Sequence, residues 1–303
     1  MKIITSILAA SILLVSCNQY QKTKSGLAYK ITHGGNKEKL KQGQFVKMNI
    51  RFTVGPKDSV LTSTFEHIPA YLMVDSARAG KYSFLELLPL CAKGDKVDFS
   101  LSVDTLKKMG MIPDYSPVFV RKGIIKGKLE IVNVFASDKE TNEDYKKEND
   151  KEKAKEIADL EKYTKDKNIK TQKSENGVLV EIENAGTEPK ADTGKQVSVF
   201  YKGYTLDGKV FDTNTGKDAQ HKDPINVVLG RHGVIPGWEE GLKFFGKGGK
   251  GKFYIPAMMA YGPQGNPPVI LPFTNLIFDI EVVDVTTAPA PAAPRMPQMP
   301  QHP

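Results

Sequence analysis

KQVSVFYKGYTLDGKVFDT, residues 195–213, decides how the second half of this chain folds. Val197, Val199 and Tyr201 alternate with polar neighbours, the two-residue period of a half-buried strand. Asp207-Gly208 then supplies the turn chemistry of a tight hairpin, and a second strand follows through Val210 and Phe211. Further strands are expected in PINVVLG (224–230), KGKFYIPA (250–257) and NLIFDIEVVDV (275–285). In the last of these, Leu276, Phe278, Ile280 and Val282 share one face, opposite Asn275, Asp279 and Glu281. The one helix expected in this half begins at Trp238 and runs to about Phe245. The half therefore reads as α+β, a small antiparallel sheet with one short helix against it.

The first half repeats the same order of segments. SGLAYKITHGG (25–35) echoes NGVLVEIENAG (176–186), and GQFVKMNIRF (43–52) echoes GKQVSVFYKG (194–203). FLELLPLCAKGDKVDFSL (84–101) lines up with WEEGLKFFGKGGKGKFYI (238–255) at a constant offset, and GKLEIVNV (127–134) echoes the final strand. Four echoes in one order imply two copies of one fold, the first diverged.

Between the copies, residues 138–175 carry nearly balanced charge and few large apolar residues. A charged helix is expected over roughly 141–166, with Ile157, Leu160 and Tyr163 as a short apolar stripe. Barely two turns long, the stripe reads as a linker helix rather than a coiled coil. APAPAAPRMPQMPQHP (288–303) reads as an extended, disordered tail.

The chain opens with MKIITSILAASILLVSC, a lysine, a short apolar run and Cys17. The run is shorter than the roughly 20 residues a bilayer core requires and reads as a secretory signal. Leu14-Val15-Ser16-Cys17 resembles a bacterial lipobox, which implies a lipidated Cys17 after a signal peptide over 1–16, a polar tether over 17–24 and an envelope location, periplasm-facing. Lipidation would leave Cys91 as the second of the two cysteines, and its apolar setting reads as core packing, not nucleophilic chemistry. Residues 18–135 hold 19 Lys/Arg against 10 Asp/Glu, whereas 176–286 hold 11 against 13. Behind a secretory signal this basic excess does not read as a nucleic-acid surface. Anionic headgroups, acidic client proteins or plain solvation remain.

No ordinary catalytic set is present in the sequence. The histidines at 33, 67, 221, 232 and 302 lack metal-like spacing, and neither G-x-S-x-G nor a phosphate loop occurs. What stands out is an aromatic and apolar set drawn from separate elements: Tyr201, Phe211, Asp212, Val234, Ile235, Trp238, Tyr261, Ile270 and Phe278. VFYKGYTLDGKVFDT (199–213), VVLGRHGVIPGWEEGL (227–242) and AYGPQGNPPVILPFTNLIFDIEVV (260–283) resemble the core motifs of the FKBP family of peptidyl-prolyl isomerases, in the family's order.

The resemblance covers about residues 171–286. It implies two FKBP-like domains, each an antiparallel half-barrel sheet with a short helix, at 25–136 and 171–287, joined by a charged helical linker at 137–170. It further implies that Trp238 floors a pocket for a proline ring, enclosed by Tyr201, Val234 and Phe278. The Ile235 amide and Tyr261 hydroxyl would hold peptide carbonyls, Phe211 and Asp212 would line the rim, and Ile270 would cover the residue before proline. Pro-containing polypeptides are the implied partners, a macrolide is an implied ligand, and no cofactor or metal is called for. Ile225, Gly233 and Asn266 depart from frequent family residues at the pocket edge, which affects substrate preference and macrolide affinity. In the first copy Ile50 falls at Tyr201, Thr62-Ser63 at Phe211-Asp212, Phe84 at Trp238 and Lys107 near Tyr261, so a domain without isomerase activity is expected there. Two functions remain at this point: a lipid-anchored isomerase for secreted or envelope proteins, or a non-catalytic chaperone or assembly factor that binds Pro-containing segments.

Overall fold

The computed structural model describes residues 20–289, apart from 76, 78, 218, 220, 221 and 268. The expected signal peptide, Cys17 and the tail from 290 onward lie outside the described residues. The chain divides into two compact units, residues 1–148 and 149–303.

In the second unit the strand order is Gln172–Lys173, Leu179–Asn184, Lys250–Ile255, Leu276–Thr287, Lys195–Thr205 and Val210–Thr213, with Ile225–Val228 also pairing with Lys195–Thr205. Every pairing is antiparallel. Val197, Val199, Leu276, Phe278, Ile280 and Val282 face one core, as their alternation requires. A bulge at the Ser198/Val199 step shifts the register there, which returns Val285 to the core in place of Asp284. The helix spans Pro236–Leu242, with Pro236 in its first turn, where the missing N–H costs nothing. It ends three residues earlier than the expected Phe245, which is itself fully buried behind Phe253.

The first unit has the same order: Gln21–Lys22, Ala28–Thr32, Lys96–Ser102, Ile124–Phe135, Phe45–Val54 and Ser59–Ser63, with Ala70–Met73 also on Phe45–Val54. The repeat begins earlier than the sequence echo suggested. Gln21 and Lys22, expected within a polar tether, pair with Tyr29 and Ala28, as Gln172 and Lys173 pair with Val180 and Leu179. Each hairpin turns at a glycine of positive φ, Gly26 at 91° and Gly177 at 93°. Cys91 is buried, and its thiol donates to the Leu87 carbonyl at 3.1 Å. Burial pushes that thiol up to about 12, which leaves it without nucleophilic character at neutral pH.

The charged helix runs Asp138–Asp166, three residues earlier at its start than expected. Within the first unit, Lys47 is buried against it and bonds Asp144 and Glu148 at 2.7 and 2.9 Å. Within the second unit, Leu160 is fully buried with Leu179, Tyr254 and Ile277, on the sheet face opposite the short helix. Glu152, Glu156 and Thr164 are buried on the same side of the helix as Leu160. No helix among the described residues is long and apolar enough to cross a membrane.

Candidate active site

Trp238 sits in the first turn of the short helix and is 3% exposed. Its ring meets Tyr201 edge-on at 5.1 Å and Phe278 at 5.2 Å, and Phe211 meets Phe278 at 5.6 Å. Such edge-to-face contacts satisfy the aromatic quadrupole and are worth about 0.5–1.5 kcal/mol each beyond area burial. Phe253 supports Trp238 from the strand behind it, at 6.4 Å. Val234 and Ile235 pack on this cluster from the loop before the helix, and Ile270 joins it from the 262–272 loop, 2% exposed. That loop closes on itself through paired Asn266–Ile270 backbone bonds of 2.8 and 3.0 Å.

Two of the expected residues lie at the rim. Asp212 is exposed, and its carboxylate accepts the Tyr201 hydroxyl at 2.7 Å. Tyr261 is 38% exposed, and its hydroxyl makes no hydrogen bond among the described residues. Burial, then the neighbouring Asp212 charge, raises the Tyr261 hydroxyl above the ordinary tyrosine range, so it stays a donor at neutral pH. Burial followed by the Asp212 bond has the same effect on Tyr201. The Ile235 amide likewise donates no hydrogen bond among the described residues, while its carbonyl takes the Trp238 N–H at 3.0 Å. Apolar rings thus line the centre, and two unspent donors, Ile235 N–H and Tyr261 O–H, stand at the edge.

Sequence reasoning missed three supports. Gly203 lies on the Tyr201 strand opposite Phe278, and a Cβ there would come within 2.7 Å of both the Phe211 and Phe278 rings. Asn214, buried in FDTNTG, accepts the Tyr201 N–H at 2.6 Å and donates to the carbonyls of Val199 and Asp223 at 3.0 and 3.1 Å. It clamps the strand that presents Tyr201. From the sequence alone Phe253 is a strand residue and no more. Its fully buried ring, between Trp238 and Phe245, became visible only with the sheet register.

The first unit keeps the frame with different residues at the matching positions. Paired registers set Ile50 at the Tyr201 place and Phe52 at the Gly203 place, with Gly127 where Phe278 stands. Phe52 itself fills the space, packing on Phe84 and Phe99 at 6.0 and 5.7 Å. The same registers correct the earlier alignment by one residue: Thr62, opposite Phe52, matches Asp212, and Leu61 matches Phe211. Lys107 lies in the helix Val103–Lys108, bonded to Asp114 at 2.6 Å, so it offers nothing comparable to the Tyr261 hydroxyl.

Residues 187–283 match the family described as FKBP-type peptidyl-prolyl cis-trans isomerase. The chain is 42% identical over 129 residues to the FKBP-type peptidyl-prolyl cis-trans isomerase FkpA of Escherichia coli K12, covering 43% of this chain and 44% of that protein. It thus spans less than half the length of that relative. It is 36% identical over 109 residues to the FK506-binding protein of Neisseria meningitidis serogroup B, covering 36% of this chain and 96% of that one. A solved peptidyl-prolyl cis-trans isomerase of Pseudomonas syringae aligns with 31% identity and a TM-score of 0.37, over 44% of this chain and 95% of that one. Since nearly the whole of the Neisseria protein is matched, and the clustered Tyr201, Phe211, Trp238 and Phe278 lie inside the matched span, the chain belongs to the FKBP-type peptidyl-prolyl cis-trans isomerase family.

Proposed function

We propose that the second domain catalyses cis–trans rotation about X–Pro bonds in polypeptides, through the pocket floored by Trp238. The carrying observation is the convergence of Tyr201, Phe211, Trp238 and Phe278 rings beside two unspent hydrogen-bond donors. Peptide C–N resonance imposes a barrier of roughly 18–20 kcal/mol on rotation, and X–Pro bonds exchange in tens to hundreds of seconds unaided. No bond is made or broken apart from this π character, so a catalyst needs no nucleophile. Water bound to the prolyl amide carbonyl favours the planar, charge-separated form. An apolar pocket removes that water, and the twisted amide, already without resonance, loses less than the planar one. Binding the twisted state better than either planar isomer is the catalysis, at tenfold in rate per 1.36 kcal/mol.

In this reading the proline ring rests on Trp238 between Tyr201, Val234 and Phe278, and Ile270 covers the preceding residue. Ile235 N–H and Tyr261 O–H hold flanking carbonyls. Phe211 and Asp212 border the carbonyl that turns. A macrolide would occupy the same pocket, with Ile225, Gly233 and Asn266 at its edge. The first domain, its space filled by Phe52, serves binding or assembly without turnover. The lipobox-like Leu14–Cys17 segment supports a lipid-anchored protein at the cell envelope, facing the periplasm and acting on secreted or envelope clients. The test is cis–trans exchange of a short apolar-X-Pro peptide with the full chain, followed by NMR alongside quenching of Trp238, the one tryptophan present. Acceleration that saturates together with the Trp238 signal is expected. Quenching without acceleration would leave a binding-only chaperone.

A further inference from the structure

Glu156 belongs to the charged helix that precedes the sheet, yet it takes hold of the segment that carries Tyr261. Its side chain is almost completely buried, at 3% exposure for the residue. Oε2 accepts the Met258 N–H at 2.8 Å, and Oε1 is buried without a hydrogen-bond partner among the described residues. Met258 is the middle residue of the turn Ala257–Met259. From that turn the chain passes through Ala260 and Tyr261 to Gly262, whose N–H returns to the Ala257 carbonyl at 2.8 Å. The Ala257 N–H is fixed by the Asn275 side chain at 2.9 Å. Tyr261 is therefore held inside a loop whose base is this turn, and Glu156 grips the base from the helix side. Leu160, one helical turn further on, is locked among Leu179, Tyr254 and Ile277, which fixes the height at which the carboxylate arrives.

A helix docked for stability alone gains nothing from this choice. Burying a carboxylate without a cation on it is costly, and an apolar residue of similar size would pack at lower cost. Facing Glu156 are Glu152, Lys155 and Asp159 on its own helix, while the turn 257–259 offers only its backbone and apolar side chains. Around Leu160 stand Tyr163, Tyr254 with Glu181, and Tyr204 with Asp279 and Lys252.

We propose that Glu156 is a positioning residue for the isomerase site, setting the turn from which Tyr261 reaches the pocket rim. The helix ahead of the sheet is then part of the catalytic apparatus of the second domain. This inference rests on the isomerase assignment.

The test is kcat/KM and its separate kcat and KM values for the full-length chain on an X–Pro peptide. The proteins are wild type, Glu156→Leu and Glu156→Gln, each with and without Tyr261→Phe. Glu156→Leu removes the acceptor and is expected to lower kcat roughly three- to tenfold, the worth of one hydrogen bond, with KM little changed. Glu156→Gln keeps an oxygen for the Met258 N–H and is expected to recover most of that loss. In the Tyr261→Phe background, Glu156→Leu is expected to cost nothing further, because its effect passes through the missing hydroxyl. Burial, helped by Glu152 and Asp159 and opposed by the Met258 N–H and Lys155, pushes the Glu156 carboxyl up to about 7. Ionisation there opposes docking, so wild-type kcat/KM is expected to fall as pH rises through about 7, a step absent from Glu156→Gln. Equal losses with and without the Tyr261 hydroxyl would overturn the inference. So would a pH step that persists in Glu156→Gln, the deciding result if Glu156→Leu fails to fold. Absence of turnover by the wild type would instead refute the isomerase assignment, and this inference with it.

Discussion

Gly203 shows how little freedom the ring cluster leaves at the level of single residues. Two rings lie within 2.7 Å of where its Cβ would be, and Phe278, buried between Phe211 and Trp238, cannot retreat without disturbing Trp238. Gly203→Ala should therefore cost about 1–3 kcal/mol of stability, as overpacking does, and lower turnover by displacing the rings. Thermal unfolding and peptide exchange on the same preparation check both effects. Trp238, Tyr201 and Phe278 were singled out in the sequence because the segments that carry them resemble the motifs of the family, and the structure brings their rings together. Gly203 and Asn214 were not. Their roles depend on which residues the register sets opposite them, and alternation specifies the face of a strand but not its partner. The one-residue slip at Thr62-Ser63 has the same origin, since the hairpin that follows Phe52 contains a register shift.

Among the elements, the charged helix departs furthest from its expected part. Its existence was legible from composition, and its docking was not, because a stripe containing Glu152, Glu156 and Thr164 reads as solvated until their burial is seen. In the second unit its hold centres on Leu160, fully buried in a cluster with Leu179, Tyr254 and Ile277 of the sheet. Leu160→Ala should cost about 2–5 kcal/mol by leaving a cavity, with amide protection lost first over 156–166. Native-state hydrogen exchange reads this directly. Unchanged protection in that segment would mean the helix is held by something other than this contact. The strands behaved as their patterns required, and the two sheets share one order because both copies keep the apolar positions that face the core.

For the whole molecule, the repeat separates a frame from a site. Both copies keep the sheet, and the second alone combines the ring cluster with Asp212 and Tyr261. Stability carries a pH signature of its own. The Glu156 carboxyl is raised from 4.5 to about 7 in the folded protein, so its contribution is fully present below 4.5 and is lost as pH rises to about 7. Asp95 acts with the opposite sign: burial opposes its ionisation, but the Gly34 and Ala92 N–H groups and His33 prevail and lower it. Its contribution is lost as pH falls and cancels between variants that share it. Urea unfolding at pH 5 and pH 8, followed by Trp238 fluorescence, should show the wild type losing on the order of 3 kcal/mol at most relative to Glu156→Gln. Equal losses would place Glu156 outside that balance. The most direct test of the central claim is X–Pro exchange catalysed by the full chain compared with its Asp212→Leu/Tyr261→Phe double variant. Acceleration by the wild type and a loss of at least about tenfold in the folded double variant are expected. A double variant as fast as the wild type would place catalysis outside the Trp238 cluster.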